Sequence, residues 1–248
     1  MKNILYIILI LLFSGCSSDK GWDCIQTAGD IVQQEITVAP FEKILVWERT
    51  KLFIQQGEEQ KIVIETGEHL MNDVEVFVTN GKLEIHNNNA CNLTRDYGIT
   101  KVFVTTPNIT EIRSSTGYAI ESIGILRFPS LTLLSEDQDK DQYHSDGDFK
   151  LNLEVNKLDI VANGISKFYL SGSAENASFG LYSGNGRIFS EDLTVQNLYV
   201  YSRSTADMIV NPQQSIRGKI VSLGNVISKN RPPIVEVEEL YRGKLIFE

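Results

Sequence analysis

The sequence predicts an all-β chain, a right-handed parallel β-helix-like solenoid preceded by an N-terminal half of alternating strands and hairpins. Three observations carry that expectation. From Leu158 to Val237 the chain divides into windows of about 20 residues, a period that marks stacked repeats. They read LDIVANGISKFYLSGSAENA, SFGLYSGNGRIFSEDLTVQN, LYVYSRSTADMIVNPQQSIR and GKIVSLGNVISKNRPPIVEV, with Gly164, Gly184 and Gly224 at one phase and Ser204 in the third row. Each window holds a β-prone run, a turn rich in Gly, Asn and Ser, and a second β-prone run, the layout of one coil resting on the next. Second, apolar residues from Ile31 onward recur at every other position, as on one face of a strand. Third, helical spacing is not sustained over any useful window.

The chain opens with Lys2 and Asn3, an apolar run from Ile4 to Phe13, and then Ser14, Gly15 and Cys16. The run has the length of a signal-peptide core and is far short of the ~20 residues that span a bilayer. The string LFSGC looks like a bacterial lipobox, which implies a signal peptide over 1–15, a lipid on the Cys16 thiol and an acylated new amino terminus. An ordinary signal peptide with an incidental cysteine is the alternative. Each buried lipid CH₂ contributes about 0.8 kcal/mol, so several acyl chains hold a domain on a membrane without a spanning helix. Ser17 after the lipid cysteine, in place of Asp, is compatible with the outer membrane. Residues 16–29 are small, polar and aperiodic and read as a lipidated tether. The β domain then covers 30–248, with its alternating-strand half over 30–106 and its coils over 107–248.

Residues 1–15 contain one lysine and no acid, so the formal charge of -9 for the whole chain becomes -10 without them. An acidic surface argues against nucleic acid, which is held by clustered Lys and Arg, and against lying flat on anionic lipid. Of 3 cysteines, Cys16 is assigned to lipid. Cys24 and Cys91 remain, and an even remainder in an exported protein points to a disulfide pinning the start of the domain onto its body. A metal site is the rival, but His69, His86 and His144 are scattered and none stands beside a cysteine.

In the first half, Ile44 and Val46, Leu52 and Ile54, Ile62 and Ile64, Val74 to Val78, and Leu83 and Ile85 alternate. Asn80-Gly81 accepts positive φ at both positions and predicts a two-residue hairpin. GEEQ (57–60) separates two further strands in the same manner. NNNACNLTRDY (87–97) is too polar for a core strand and is expected to wrap outside, within reach of Cys24. Val102 to Thr105 is a strand, and Ile109 to Ile120 repeats the strand, turn and strand layout. After Leu131 to Leu134, an acidic insert (SEDQDKDQYHSDGD, 135–148) precedes the alternation of Phe149 to Val155. In the second row Ala177, Phe179 and Leu181 fall one position out of step with Leu158, Ile160 and Ala162, which predicts a bulge there. Leu158, Ile160, Phe168, Leu170, Ile188, Val200, Met208 and Ile220 are the expected inward side chains. Gly184 is expected at a corner with φ above zero, and Leu245 to Phe247 is expected to cap the open edge.

The lipobox leader, the alternating half with its cysteines inside DCIQTAG and NNNACNLTRDY, and the turns SSTG, SGNG and SLGN together resemble the bacterial family called putative auto-transporter adhesin, head GIN domain. The resemblance covers Ile31 to Glu248 and implies an all-β, parallel β-helix-like domain of the kind carried by many Gram-negative lipoproteins. This sequence departs from the family's turn at Arg203 to Ala206 (RSTA) and in the acidic insert.

The insert invites a calcium reading, because Asp137, Asp139 and Asp141 alternate, with Ser145 and Asp148 at later loop positions. Gln142 stands where such a loop needs glycine, Asp148 replaces the bidentate glutamate, and the flanks are strands, so a solvated acidic loop is the stronger expectation. There is no G-x-S-x-G elbow, and no nucleophile is visibly paired with a histidine. Gly184 and Gly186 are not followed by a helix-forming run, so a phosphate loop is not indicated. No cofactor is implied. The sequence therefore points to a non-enzymatic, membrane-anchored binding or adhesion-like module with a glycan or protein ligand. A polysaccharide-cleaving envelope enzyme is the runner-up, and a purely structural envelope protein the third reading.

Overall fold

The computed structural model describes residues 23–93, 95–138 and 142–248. The leader 1–15, Cys16 and the tether as far as residue 22 lie outside the described residues. The described chain is all-β, without an α-helix, and its strands join one 18-stranded sheet of mixed parallel and antiparallel pairing.

The long strands β11 (Phe149–Ala162), β12 (Lys167–Leu181) and β13 (Arg187–Ser202) run side by side in parallel. β11 and β12 divide in two where successive residues are both exposed, Asn156 and Lys157 in β11 and Glu175 and Asn176 in β12, and β13 divides at the half-buried Gln196 and Asn197. The first halves belong to a ladder that starts from β9 (Ile120–Leu126) and continues through β14 (Met208–Val210), β16 (Val226–Ser228) and β18 (Leu245–Phe247). The second halves belong to a ladder that runs from β10 (Ser130–Ser135) to β15 (Pro212–Ile220) and β17 (Ile234–Glu239). Because β-strands alternate their side chains, each ladder turns one row inward. Phe149, Phe168 and Ile188 of the first ladder, and Leu158, Ile160, Phe179, Val200 and Ile220 of the second, are at most 1% exposed. All eight residues expected to point inward are buried. Each such side chain contributes about 1.5 to 3 kcal/mol when fully withdrawn from water, and Phe149 and Phe168 stack with ring centroids 4.9 Å apart.

The glycine column exists as a backbone ladder at the corner between rungs. Asn185 N donates to Gly164 O at 3.0 Å, Thr205 N to Gly184 O at 3.2 Å, and Gly224 N to Ser204 O at 3.1 Å. Gly184 has φ +82°, and a Cβ there would lie 2.3 Å from Gly164 O. The corner serines close further backbone acceptors: Ser183 Oγ donates to Asn163 O and Ser204 Oγ to Gly186 O, both at 2.8 Å. Small hydroxyl residues thus let the rungs approach while leaving fewer buried carbonyls unmatched.

The expected bulge at Ala177 to Leu181 is absent. Leu158 lies beside Ala177 and Phe149 beside Phe168 in one unbroken register, so that coil is simply one residue shorter than its neighbours' period suggests. The register shifts fall elsewhere, between Tyr169 and Ser171 of β12 against β13, between Lys150 and Asn152 of β11 against β9, and between Val195 and Asn197 of β13 against β15.

In the N-terminal half the stacking order is not the chain order. The strands are β1 (Ile31–Ile36), β2 (Lys43–Val46), β3 (Lys51–Gln56), β4 (Lys61–Gly67), β5 (Val74–Thr79), β6 (Lys82–Asn87), β7 (Lys101–Thr106) and β8 (Glu111–Ser114). β2 lies between β6 and β8, and β3 between β7 and β9, all parallel, so the later β6–β7 rung sits outside the earlier β2–β3 rung. Beyond it, β4 joins β7, β1 joins β4 and β5 joins β6, all antiparallel. Asn80 (φ 53°) and Gly81 (φ 73°) make the expected hairpin of β5 and β6. GEEQ does not make one, since β7 lies between β3 and β4. β18 does not cap the stack either: it pairs with β16 and leaves its other edge unpaired among the described residues. Cys24 and Cys91 form a disulfide with Cα atoms 4.5 Å apart, tying the 87–97 segment to the start of the domain as expected.

On the outer face near this end, Lys101 Nζ donates to Glu65 Oε1 at 2.7 Å and Gln33 Nε2 to Glu65 Oε2 at 2.7 Å. These bonds favour the ionised form and hold Glu65 below its ordinary 4.5, the lysine bond most of all. A carboxyl depressed by folding adds stability that is complete above its unfolded pKa and lost as pH falls through the folded one. Stability is expected to decline below about pH 4.5 with a Glu65 component under about 1 kcal/mol. In Glu65→Gln, denaturant melts at stepped pH should show a shallower acid decline; an unchanged slope would exclude the pairing as a contributor.

Candidate functional site

Two clusters of chemistry-bearing side chains stand on the outer faces. The first stands at the acidic insert, where Asp137, Gln138, Gln142, His144 and Asp146 are exposed, as in a solvated loop, while Tyr143 packs down. Tyr143 is 8% exposed, lies 5.3 Å from the Trp47 ring and sits under Arg113 at 4.5 Å. Trp47 stacks on His86, and His86 on Phe77, at 5.3 and 5.4 Å. The Arg113 guanidinium donates to the Glu136 carboxylate, both side chains being about nine-tenths buried. His144 reaches Glu48 at 3.2 Å. Burial of the Tyr143 ring offsets part of the entropy cost of holding the described residues around it. The sequence masked this because composition across the insert is almost wholly polar.

Of the calcium candidates, Asp139 and Asp141 lie outside the described residues. Asp137 Oδ1 accepts from Asn163 Nδ2 at 2.7 Å and Asp148 Oδ1 from Lys167 N at 2.9 Å. Those two carboxylates therefore hold corner segments in place. Among the described residues no group of three or more His, Cys, Asp or Glu side chains is arranged to hold a metal.

The second cluster is a groove of about 390 Å³ on the outer face of the first ladder. Its construction follows from two of the three register shifts, those of β9 against β11 and of β12 against β13. Between Glu121 and Ile125 of β9, extra residues face Leu151, and Gly124 takes φ +74° there. Between Phe189 and Asp192 of β13, both Ser190 and Glu191 face Leu170. Bulges bend strands and re-aim side chains, and here they open the face between them. Outward side chains then form two columns. One runs Glu121, Lys150, Tyr169, Phe189, and the other Asn152, Ser171, Asp192. Short Asn152 and Ser171 form the floor beside the taller rings of Tyr169 and Phe189, and Glu191 joins the acidic rim.

The rings of Tyr169 and Phe189 are 5.0 Å apart and 9° from parallel. Rings that close cannot lie flat side by side, so their faces are against each other and their rims point outward. Lys150 Nζ lies 3.2 Å from Glu121 Oε1 and is neutralised by it. Glu191 Oε2 is screened from solvent without a hydrogen-bond donor. The sequence analysis singled out none of these residues. A signal was present: Ile188 and Leu193 are five apart, an odd step inside an alternating strand, with Glu191 and Asp192 in the gap.

The model of the family described as putative auto-transporter adhesin, head GIN domain, matches residues 40–232. The chain belongs to this family. The head GIN match includes the whole groove and the acidic insert, while β1, β17 and β18 fall outside it. Solved structures share the fold. One described as a putative adhesin from Bacteroides fragilis superposes with TM-score 0.78 at 17% identity, covering 90% of this chain and 100% of that one. A putative lipid binding protein from Parabacteroides distasonis gives 0.61 at 15% identity over 88% and 97%, and a putative adhesin from Parabacteroides merdae 0.57 at 16% over 89% and 97%. At those identities the likeness speaks for the fold of the head GIN domain alone. No curated protein matches the chain.

Proposed function

We propose that the protein is a lipid-anchored, non-enzymatic binding module of the cell envelope, and that the groove beside Tyr169 and Phe189 is its ligand surface. The observation that carries this reading is the coincidence of two of the three register shifts with an aromatic and carboxylate-lined depression. The family description and the names of the fold relatives speak of adhesion or lipid binding and of no reaction, which supports a binding role.

In this reading residues 1–15 are removed as a signal peptide, Cys16 carries the lipid in the outer membrane, 16–29 is the tether, and 30–248 is the domain. The coils wind right-handed, the hand taken by nearly all crossovers between parallel strands of one sheet. No helix among the described residues is long and apolar enough to cross a membrane, so lipid is assigned the anchoring.

Two measurements test the proposal. Cys16→Ala is expected to move the protein from the membrane fraction to the soluble one, and its persistence with membranes would overturn the anchor. Ser171→Trp, which fills the groove floor, is expected to remove binding to whichever glycan or protein surface the wild type retains. Undiminished binding would place the ligand elsewhere, and release of reducing ends from a polysaccharide would favour the enzyme reading instead.

A further inference from the structure

Taking the groove as the ligand surface, we infer that it accepts a neutral, hydroxyl-rich polysaccharide chain and rejects anionic polymers. The charge on the rim decides that exclusion. Lys150 is spent on Glu121, and Lys229, the cation that feels Glu191, is held in its protonated form chiefly by its hydrogen bond to Glu248. Among the described residues Asp192 and Glu191 make no ion pair, and Glu191 Oε2 lacks even a hydrogen-bond donor. A carboxylate or sulfate group entering here meets uncompensated negative charge in a partly desolvated place, where like charges repel most strongly.

The rings favour hydroxyls over cationic side chains. A lysine or arginine side chain gains most from the face of an aromatic ring. In the groove those faces are taken: Tyr169 and Phe189 cover each other, while Lys150 and Ile209 are their neighbours on the adjoining strands. What the rings offer the groove is their rim, which carries the positive edge of the quadrupole and suits oxygen atoms.

The remaining polar groups match hydroxyls. Tyr169, Ser171 and the Asn152 amide can each donate and accept, and Asp192 and Glu191 accept only. A sugar hydroxyl likewise donates and accepts, so successive hydroxyls can be satisfied along the column. Rungs repeat every ~4.8 Å, and a trough running across several of them suits an extended chain better than a compact molecule.

The test uses the full-length protein in detergent, with dextran and yeast mannan as neutral probes, polygalacturonate and heparin as anionic ones, and polylysine as a basic one, read by affinity electrophoresis. A neutral probe should retard the wild type, and both Ser171→Trp and Tyr169→Ala should weaken that retardation at least tenfold while keeping the wild-type melting profile. The double change Glu191→Gln with Asp192→Asn should let an anionic probe bind that the wild type refuses. If anionic probes or polylysine bind the wild type best and Ser171→Trp abolishes it, the groove stands and the ligand class falls. Should a neutral probe bind with neither groove variant affecting it, the groove itself is the wrong surface. Failure of every neutral probe to bind overturns the ligand class.

Discussion

Gly218→Val is expected to lower the melting temperature by about 10 °C. Gly218 lies in β15 between Val200 of β13 and Val237 of β17. Its φ is +133°, and a Cβ there would fall 1.8 Å from the Val200 carbonyl oxygen. Strain of that backbone region alone is about 1 to 3 kcal/mol for a side-chain-bearing residue, and the overlap forces the rungs apart as well. Together about 4 kcal/mol is lost, and 1 kcal/mol shifts the midpoint by about 2–4 °C in a domain of this size. Since each rung touches only its neighbours, amide exchange should rise in β15 to β18 and stay slow in β9 to β12. Ser178→Val, on an outward position of the same ladder, should change stability by about 0.5 kcal/mol or less. A Gly218→Val protein melting within 3 °C of wild type would show that the carbonyl ladder is looser than described.

Replacing both disulfide cysteines, Cys24→Ser with Cys91→Ser, comes next in size. The bond closes a sequence separation of 67 residues, and the chain-entropy relation assigns a loop of that length about 4 kcal/mol. Around it Leu93 N donates to Cys24 O, the Arg95 guanidinium bonds Gln26 O and Cys91 O, and Asn87 to Asn89 bond the carbonyls of Arg49, Asp73 and Leu70. The double variant should melt about 8 °C lower, with rapid exchange confined at first to 23–30 and 87–97. Alkylation of the unfolded wild type without reductant should leave Cys24 and Cys91 unmodified. Two alkylated cysteines, or an unchanged melt in the variant, would rule out the tie.

The contrast between Gly184 and Gly218 shows what was legible in the sequence. Gly184 sits in SGNG, where neighbouring Ser and Asn announce a corner, and the turn was found from composition. Gly218 sits in SIRGKIV, which reads as strand on both sides; its need for a bare Cα arises from the carbonyl of Val200 on the preceding rung, and no local pattern records that. The inward rows were readable because alternation is local. Stacking order was not, because β2 can pair on either edge and the alternation of Ile44 and Val46 is the same whichever rung lies outside. The groove escaped for a related reason. Its walls come from β9, β11, β12 and β13, and only the odd step from Ile188 to Leu193 betrays it in one dimension. Tyr143 shows the opposite failure, where a single aromatic residue outweighs the charged letters around it.

The rungs from β9 to β18 follow one another in chain order, whereas those before them interlock. Length is therefore adjustable at one end only. A spare coil of about nineteen residues spliced between two corners beyond β13 would add ~4.8 Å of height and leave the knitted foot, its sulfur bond and the trough untouched. Descendants of this architecture can grow taller by tandem duplication, like courses added to a wall, while the foundation tolerates no such rearrangement.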